Sequence, residues 1–333
     1  MEENGNIQVN FLAEVKKHVR TNLSFADELA EALSVSRDSA YRRIRGETIL
    51  SLNEVKTLVA HFKVPIDALL ASKTQALTFQ HQAVDHAQFT FSHWLQSILD
   101  KLGIIGAFPE SDKELIYYAK DIPIFYYFTF RELSAFKMFF WMKSILCYPE
   151  YENEKFKADK VPLVDVEAGE KIWNQYAALP TTELWSDETL NVTLKQILFY
   201  FECGFFENPD DALILIEQFG VLIEKIRKWA ASGTKEGGAR FNLYKNEILV
   251  GENTVFFKMG KKRIVFLSHN ITDTLASSDE VFCEQTERFL NNLISKAPLL
   301  SGSSARERDR FFNQMADKIK ALKEKIIRNE SYS

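Results

Sequence analysis

Four arginines, Arg37, Arg42, Arg43 and Arg45, fall within nine residues against a single acid, Asp38, so this segment carries a local charge of +3. A guanidinium is a planar fork of donors that matches guanine O6 and N7, or a phosphate, with two parallel hydrogen bonds. Wound as a helix, residues 36–45 turn Ala40 and Ile44 inward and leave Arg37, Asp38, Tyr41, Arg42 and Arg45 outward as one stripe that a DNA major groove admits. On that geometry Arg37, Tyr41 and Arg42 are placed for base edges. Ser36, Arg43, Arg45 and Ser51, the last at the start of the next helix, are placed for phosphate.

Catalytic chemistry has no comparable foothold. The six histidines (His18, His61, His81, His86, His93 and His269) form no His-Glu-x-x-His pair, and His81, His86 and His93 lie close in sequence without matching acidic or cysteine ligands. No glycine-rich phosphate loop and no Gly-x-Ser-x-Gly turn occurs. Cys147, Cys203 and Cys283 are odd in number and far apart, which fits neither a disulfide framework nor a redox pair and suits a reducing compartment. The chain is therefore expected not to be an enzyme, with no metal and no cofactor.

The arginine stripe needs a scaffold, and the first seventy or so residues are punctuated to supply one. Leu12, Val15 and Val19 recur at helical spacing over 8–20. Ser24 opens a second helix carrying Leu29, Ala30 and Leu33, and Ser34-Val35-Ser36 interrupts it. Ser36 caps the third helix, which Gly46 ends. Ser51 with Glu54 forms a capping box for a fourth, whose Leu52, Val55, Val59 and Phe62 share one side, and Val64-Pro65 opens a short fifth through Leu70. Residues 72–87 are polar and rich in Gln and His, which reads as a linker between a domain at 1–71 and a larger one at 88–333.

The run Leu29-Ala-Glu-Ala-Leu-Ser-Val-Ser-Arg-Asp-Ser-Ala-Tyr-Arg-Arg-Ile-Arg-Gly46, continued by residues 51–69, resembles the helix-turn-helix core of the Cro/repressor-like, or XRE, family of bacterial and phage regulators. The resemblance covers residues 8–71. It implies a five-helix, lambda-repressor-like domain that binds double-stranded DNA, as dimers on inverted half-sites about 34–36 Å apart per helical turn. Two positions depart from the family pattern. Ser34 stands where the family has glycine, so a side chain must accept a left-handed backbone there or reshape the turn. Arg43 stands where the family buries an apolar side chain, leaving Ile44 to pack while Arg43 reaches toward phosphate.

Beyond the linker the patterns are mostly helical: 89–102, 112–120 (capped by Ser111 and Glu114), 124–146, 167–178, 187–205, 209–231, 279–296 and 305–328. Residues 232–239 read as an exposed flexible loop. Three β-prone runs at 248–250, 254–258 and 263–268 suggest a small antiparallel meander within 244–269. The expected fold is mainly α: the five-helix N-terminal domain and a large helical C-terminal domain with that meander.

The segment 124–146 is aromatic on nearly every face. Such a helix either fills the middle of a bundle or lines a pocket, in which Tyr126, Tyr127, Phe130 and Arg131 would orient a small apolar or peptide effector. In the last helix Phe312, Met315, Ile319, Leu322 and Ile326 form a seam that suits docking on its own domain or pairing with a second subunit.

Composition narrows the function. The 333 residues are 46% hydrophobic and 26% charged, a globular mix, with a formal net charge of -5 that disfavours coating nucleic acid or anionic membrane by bulk charge. Residues 1–75 hold ten basic and ten acidic side chains, so the remainder carries the whole deficit. Arg131, Glu132, Lys137 and Lys143 interrupt the most apolar stretch and argue against a membrane span; the acidic N-terminus lacks the features of a signal peptide. The expectation is a cytoplasmic, dimeric, sequence-specific DNA-binding transcriptional regulator whose C-terminal domain dimerises or senses a ligand. The alternative is a helical protein-interaction module, antitoxin-like or scaffold, with secondary or no DNA binding.

Overall fold

Leu115 and Tyr117 point to one side of a strand while Ile116 and Tyr118 point to the other, and each pair enters a different hydrophobic cluster. This period-two alternation, buried on both faces, marks an interior strand. It lies in a sheet that the periodicity of the sequence does not announce. The structure is a computed structural model that describes all residues except 1–6, 17–18, 20–23, 63, 65–76, 82–89, 249–250, 270–273 and 331–333. The expected fifth helix and most of the expected linker lie outside the described residues.

The chain divides into two units, Met1–Thr78 and Phe79–Ser333. In the first, α1 (Ile7–Lys16), α2 (Phe25–Leu33), α3 (Arg37–Ile44) and α4 (Leu52–Phe62) enclose a core of Phe11, Leu12, Val15, Leu29, Ala40, Leu58 and Phe62.

The second unit contains β1 (Gln80–His81), α5 (Phe91–Gly106), β2 (Lys113–Tyr118), α6 (Arg131–Phe140), α7 (Leu163–Ala177), β3 (Thr181–Trp185), α8 (Asn191–Glu202) and α9 (Asp210–Ser232). These are followed by β4 (Phe241–Lys245), β5 (Thr254–Met259), β6 (Lys262–Ser268), β7 (Thr274–Ser277), α10 (Glu280–Lys296) and α11 (Ala305–Glu330). The strands form one seven-stranded sheet, ordered β1-β7-β6-β5-β2-β3-β4. β2, β3 and β4 run parallel, and the remaining pairings are antiparallel. The larger core, on one face, joins the sheet to α5–α9 and α11, while Cys283 and Leu290 of α10 cover the other face with Leu184, Phe256 and Val265.

This mixed sheet corrects the expectation of a mainly α chain with only a small antiparallel meander. The 112–120 segment, expected as a helix, is β2: Lys-Glu-Leu-Ile-Tyr-Tyr is a short apolar run whose length and aromatic content suit a buried strand, which periodicity alone cannot separate from a helix. Glu114 is accordingly no helix cap; its Oε1 accepts hydrogen bonds from Thr182 and Arg240. β3 has no strand signal in the sequence, because all five of its residues are buried and Thr-Thr-Glu-Leu-Trp shows no alternation. The 254–258 and 263–268 runs are β5 and β6, the expected run at 248–250 lies mostly outside the described residues, and β4 at Phe241–Lys245 is a strand that was not expected.

The aromatic segment 124–146 is not one helix. A 3-10 turn covers Ile124–Thr129, an extended Phe130 breaks it, α6 follows, and Trp141–Ile145 winds as a π turn with the Leu146 N–H on the Trp141 carbonyl. Residues 133–140 are all buried. The α11 seam, Phe312, Met315, Ile319, Leu322 and Ile326, is buried within its own unit, and each such apolar side chain stabilises the fold by about 1.5–3 kcal/mol. Among the described residues no helix is long and apolar enough to cross a membrane.

Candidate nucleic-acid interface

The turn between α2 and α3 is built on Ser34. Its backbone sits in the left-handed region at φ 54°, ψ 41°, and the Val35 N–H reaches back to the Ala30 carbonyl at 2.9 Å, closing α2. A serine thus takes the conformation for which glycine is usual, at a steric cost of about 1–2 kcal/mol. Val35 packs partly into the core, and Ser36, extended at φ -69°, accepts the Ser39 N–H on its hydroxyl at 3.3 Å and starts α3. Ala40 is buried and Ile44 packs against the same core, so the opposite side of α3 faces water.

That side carries Arg37, Asp38, Tyr41, Arg42 and Arg45, all exposed. Each of its arginines already has an acidic partner. Arg37 Nε lies 3.0 Å from Asp27 and its guanidinium 5.8 Å from the Tyr41 ring centre; Arg42 Nε lies 3.2 Å from Asp38; Arg45 Nε lies 2.7 Å from Glu47. The hydrogen bond from Arg45 holds the Glu47 carboxyl below its ordinary range.

Arg43 departs from its expected orientation. Arg43 turns inward: its Nε and Nη2 donate to Glu54 Oε1 at 3.0 and 2.7 Å, and its Nη1 donates to the Ser39 hydroxyl at 2.5 Å. With its side chain 13% exposed and that of Glu54 21%, it ties α3 to α4 instead of reaching for phosphate. Ser51 and Glu54 make the expected capping box, with the Ser51 N–H on Glu54 Oε2 at 2.8 Å and the Glu54 N–H on the Ser51 hydroxyl at 3.2 Å. The hydrogen bonds from Ser51 and Arg43 keep the Glu54 carboxyl below its ordinary range against the effect of burial.

Gln8 was missed. Its amide donates to the carbonyls of Arg43 and Thr48 and accepts the Leu50 N–H, all within 2.8 Å, so α1 fixes the loop that follows α3. Nothing in the spacing of apolar residues marks a half-buried glutamine whose partners are backbone groups some 35–42 positions away.

In the second unit the residues proposed to orient an effector are engaged elsewhere. Tyr126 is fully buried and donates to Glu183 Oε1 at 2.6 Å; Tyr127 is buried and bonds Asp121 and Thr193. Phe130 is half-buried with Lys225 5.0 Å from its ring centre, and Arg131 is exposed. Tyr126 and Tyr127 thus serve two buried polar networks.

One network centres on Glu183 of β3, which accepts Tyr126 and Tyr176 on Oε1 and Trp185 on Oε2. Burial pushes its carboxyl up, and Lys235 with these donors pulls it back. Lys235 comes from the segment expected to be an exposed loop. It is 3% exposed, sits 3.9 Å from the Tyr176 ring centre and donates to the Tyr176 carbonyl, and burial lowers its pKa to about 7. Gly237 packs closely on the end of α7, where a Cβ would be 2.8 Å from the Ala177 carbonyl oxygen. The other network holds buried Lys137 of α6 among Asp121, Thr193 and Gln196. The sequence signal for both was a charged residue inside an otherwise apolar or glycine-bounded run. Among the described residues no group of three His, Cys, Asp or Glu could hold a metal ion.

Comparison of the chain with models of known protein families, with curated proteins and with solved structures finds no match.

Proposed function

We propose that this chain is a sequence-specific DNA-binding transcriptional regulator of the Cro/repressor-like type, acting in the cytoplasm as a homodimer. The observation that carries this reading is the side of α3 facing water: a helix capped by Ser36, entered through a left-handed turn at Ser34, presents Arg37, Tyr41, Arg42 and Arg45 together while Ala40 anchors the other side. Such a helix fits a major groove, where arginine forks pair with guanine edges. Arg37, Tyr41 and Arg42 are assigned to bases, Arg45 to phosphate. The second unit, with its own sheet and core, is far larger than DNA binding needs and is assigned to dimerisation and to receiving a signal.

Selection from random duplexes with the full chain, followed by gel shift across a salt series, tests this. An enriched motif, bound with salt-sensitive affinity that Arg42→Ala lowers at one base position, is the expected result. Absence of both enrichment and salt-sensitive binding refutes it and favours the interaction-module alternative.

A further inference from the structure

The local +3 of residues 37–45 disappears once the fold is formed. Three outward arginines face three carboxylates, Asp27 from α2, Asp38 from α3 itself and Glu47 from the loop after it, and the fourth arginine is bound by Glu54. Only Asp38 is near its arginine through simple helical spacing, at i and i+4. Asp27 is brought to Arg37 by the packing of α2 against α3, and Glu47 to Arg45 by a turn in which the Glu47 N–H bonds the Arg42 carbonyl. All three pairs are exposed, with side-chain accessibilities between 48% and 74%. Exposed pairs contribute little stability, so the acids do little for the fold and the arginines change partners at small cost.

We propose that Asp27, Asp38 and Glu47 are specificity-determining residues of the DNA-reading surface: Asp27 and Asp38 neutralise Arg37 and Arg42 until a site supplies paired base acceptors at the matching positions, and Glu47 holds Arg45 back from indiscriminate phosphate contact. This rests on the reading of α3 as a DNA-reading helix. An arbitrary duplex offers these side chains mainly phosphate, whose charge is repelled by the adjacent carboxylates, whereas a guanine edge is a neutral, bidentate acceptor that an arginine takes without bringing negative charge close to the acid. The carboxylates therefore penalise non-specific, phosphate-driven binding more than cognate binding, a form of discrimination by repulsion.

The test compares full-length wild type with Asp38→Asn, Glu47→Gln and the double variant, on the selected duplex and on a scrambled one, across a salt series. Glu31→Gln is the control for the single variants, because Glu31 is exposed on α2 and forms no ion pair among the described residues; it changes net charge by as much as either of them without freeing an arginine. The double variant is expected to bind scrambled duplex about tenfold more tightly at 0.1 M salt, with a slope of log affinity against log salt steeper by roughly 0.9 per freed arginine. Affinity for the selected site rises less, so the ratio between the two falls. Hydrogen exchange of 25–44 in each variant verifies that α2 and α3 stay formed. Unchanged scrambled binding, an equal gain on both duplexes, or an equal gain from Glu31→Gln overturns the inference while wild-type recognition stands. If wild type binds neither duplex, the reading of α3 falls, and the inference with it.

Discussion

Arg43 offers the sharpest separation of a structural from a DNA-contacting arginine, one position away from Arg42. Arg43→Met keeps the aliphatic stem and removes the guanidinium, and with it two hydrogen bonds to Glu54 and one each to the Ser39 hydroxyl and carbonyl. Hydrogen bonds to charged groups contribute about 1.5–3 kcal/mol, but Glu54 is 21% exposed and keeps the Ser51 N–H, so water and the cap recover part of the loss. The expected destabilisation of the first unit is about 2 kcal/mol. All five tryptophans lie in the second unit, at Trp94, Trp141, Trp173, Trp185 and Trp229, so their fluorescence is blind to this change and serves as an internal control. The assay is hydrogen exchange of α3 and α4 in the intact chain, where about 2 kcal/mol appears as roughly 30-fold faster exchange. Glu54→Gln combined with Arg43→Met should cost less than the two singles added, because they share one interaction. Unchanged exchange over 37–62, together with weaker binding to every duplex and a shallower salt slope, would refute the clamp and return Arg43 to the phosphate.

Other expectations follow from the same contacts. Ser34→Gly relieves the Cβ at φ 54° and should stabilise the first unit by about 1 kcal/mol, read as slower exchange in α2 and α3; no change would mean the turn is unstrained. Glu183→Gln keeps an oxygen for Tyr126 and Tyr176 but sets an amide donor against the Trp185 N–H, so the second unit should lose about 2–3 kcal/mol in denaturant unfolding followed by tryptophan fluorescence, and a neutral result would discount the network. Lys235 titrates near 7 in the folded chain and near its ordinary 10.5 when unfolded, so between those values the unfolded state holds the extra proton and stability rises with pH, by about 1 kcal/mol per unit. The difference between wild type and Lys235→Met should therefore grow with pH from 7 to 9.5 in favour of wild type, and parallel curves would contradict a buried, titrating lysine.

The helices with firm ends were legible because their signals are local. Ser36, Ser51 with Glu54, and Asn208 before Pro209 cap or precede their helices as their types require, and the spacing in α9, α10 and α11 traces those helices to within a few residues. The strands β2 and β3 were not legible. A strand buried on both faces need not alternate polar with apolar residues, and its identity is fixed by pairing with residues more than sixty positions away, as Leu115 pairs with Thr181 and Phe257. The aromatic segment shows the same limit: its residues announce burial, but only contacts with Glu183, Asp121 and Thr193 decide that its tyrosines serve buried acids and hydroxyls.

The composition of α3 belongs to the sequence alone. Four arginines around a small inward alanine determine a helix with one buried side and one cationic side, since helical periodicity acts within a few residues. Which arginines remain available is decided by the folded structure: packing brings Asp27 and Glu54 to within ion-pairing distance of Arg37 and Arg43, and the turn after α3 sets Glu47 on Arg45. Charge counted along a chain treats every side chain as free, whereas Coulomb energy falls with distance in space, and folding sets those distances.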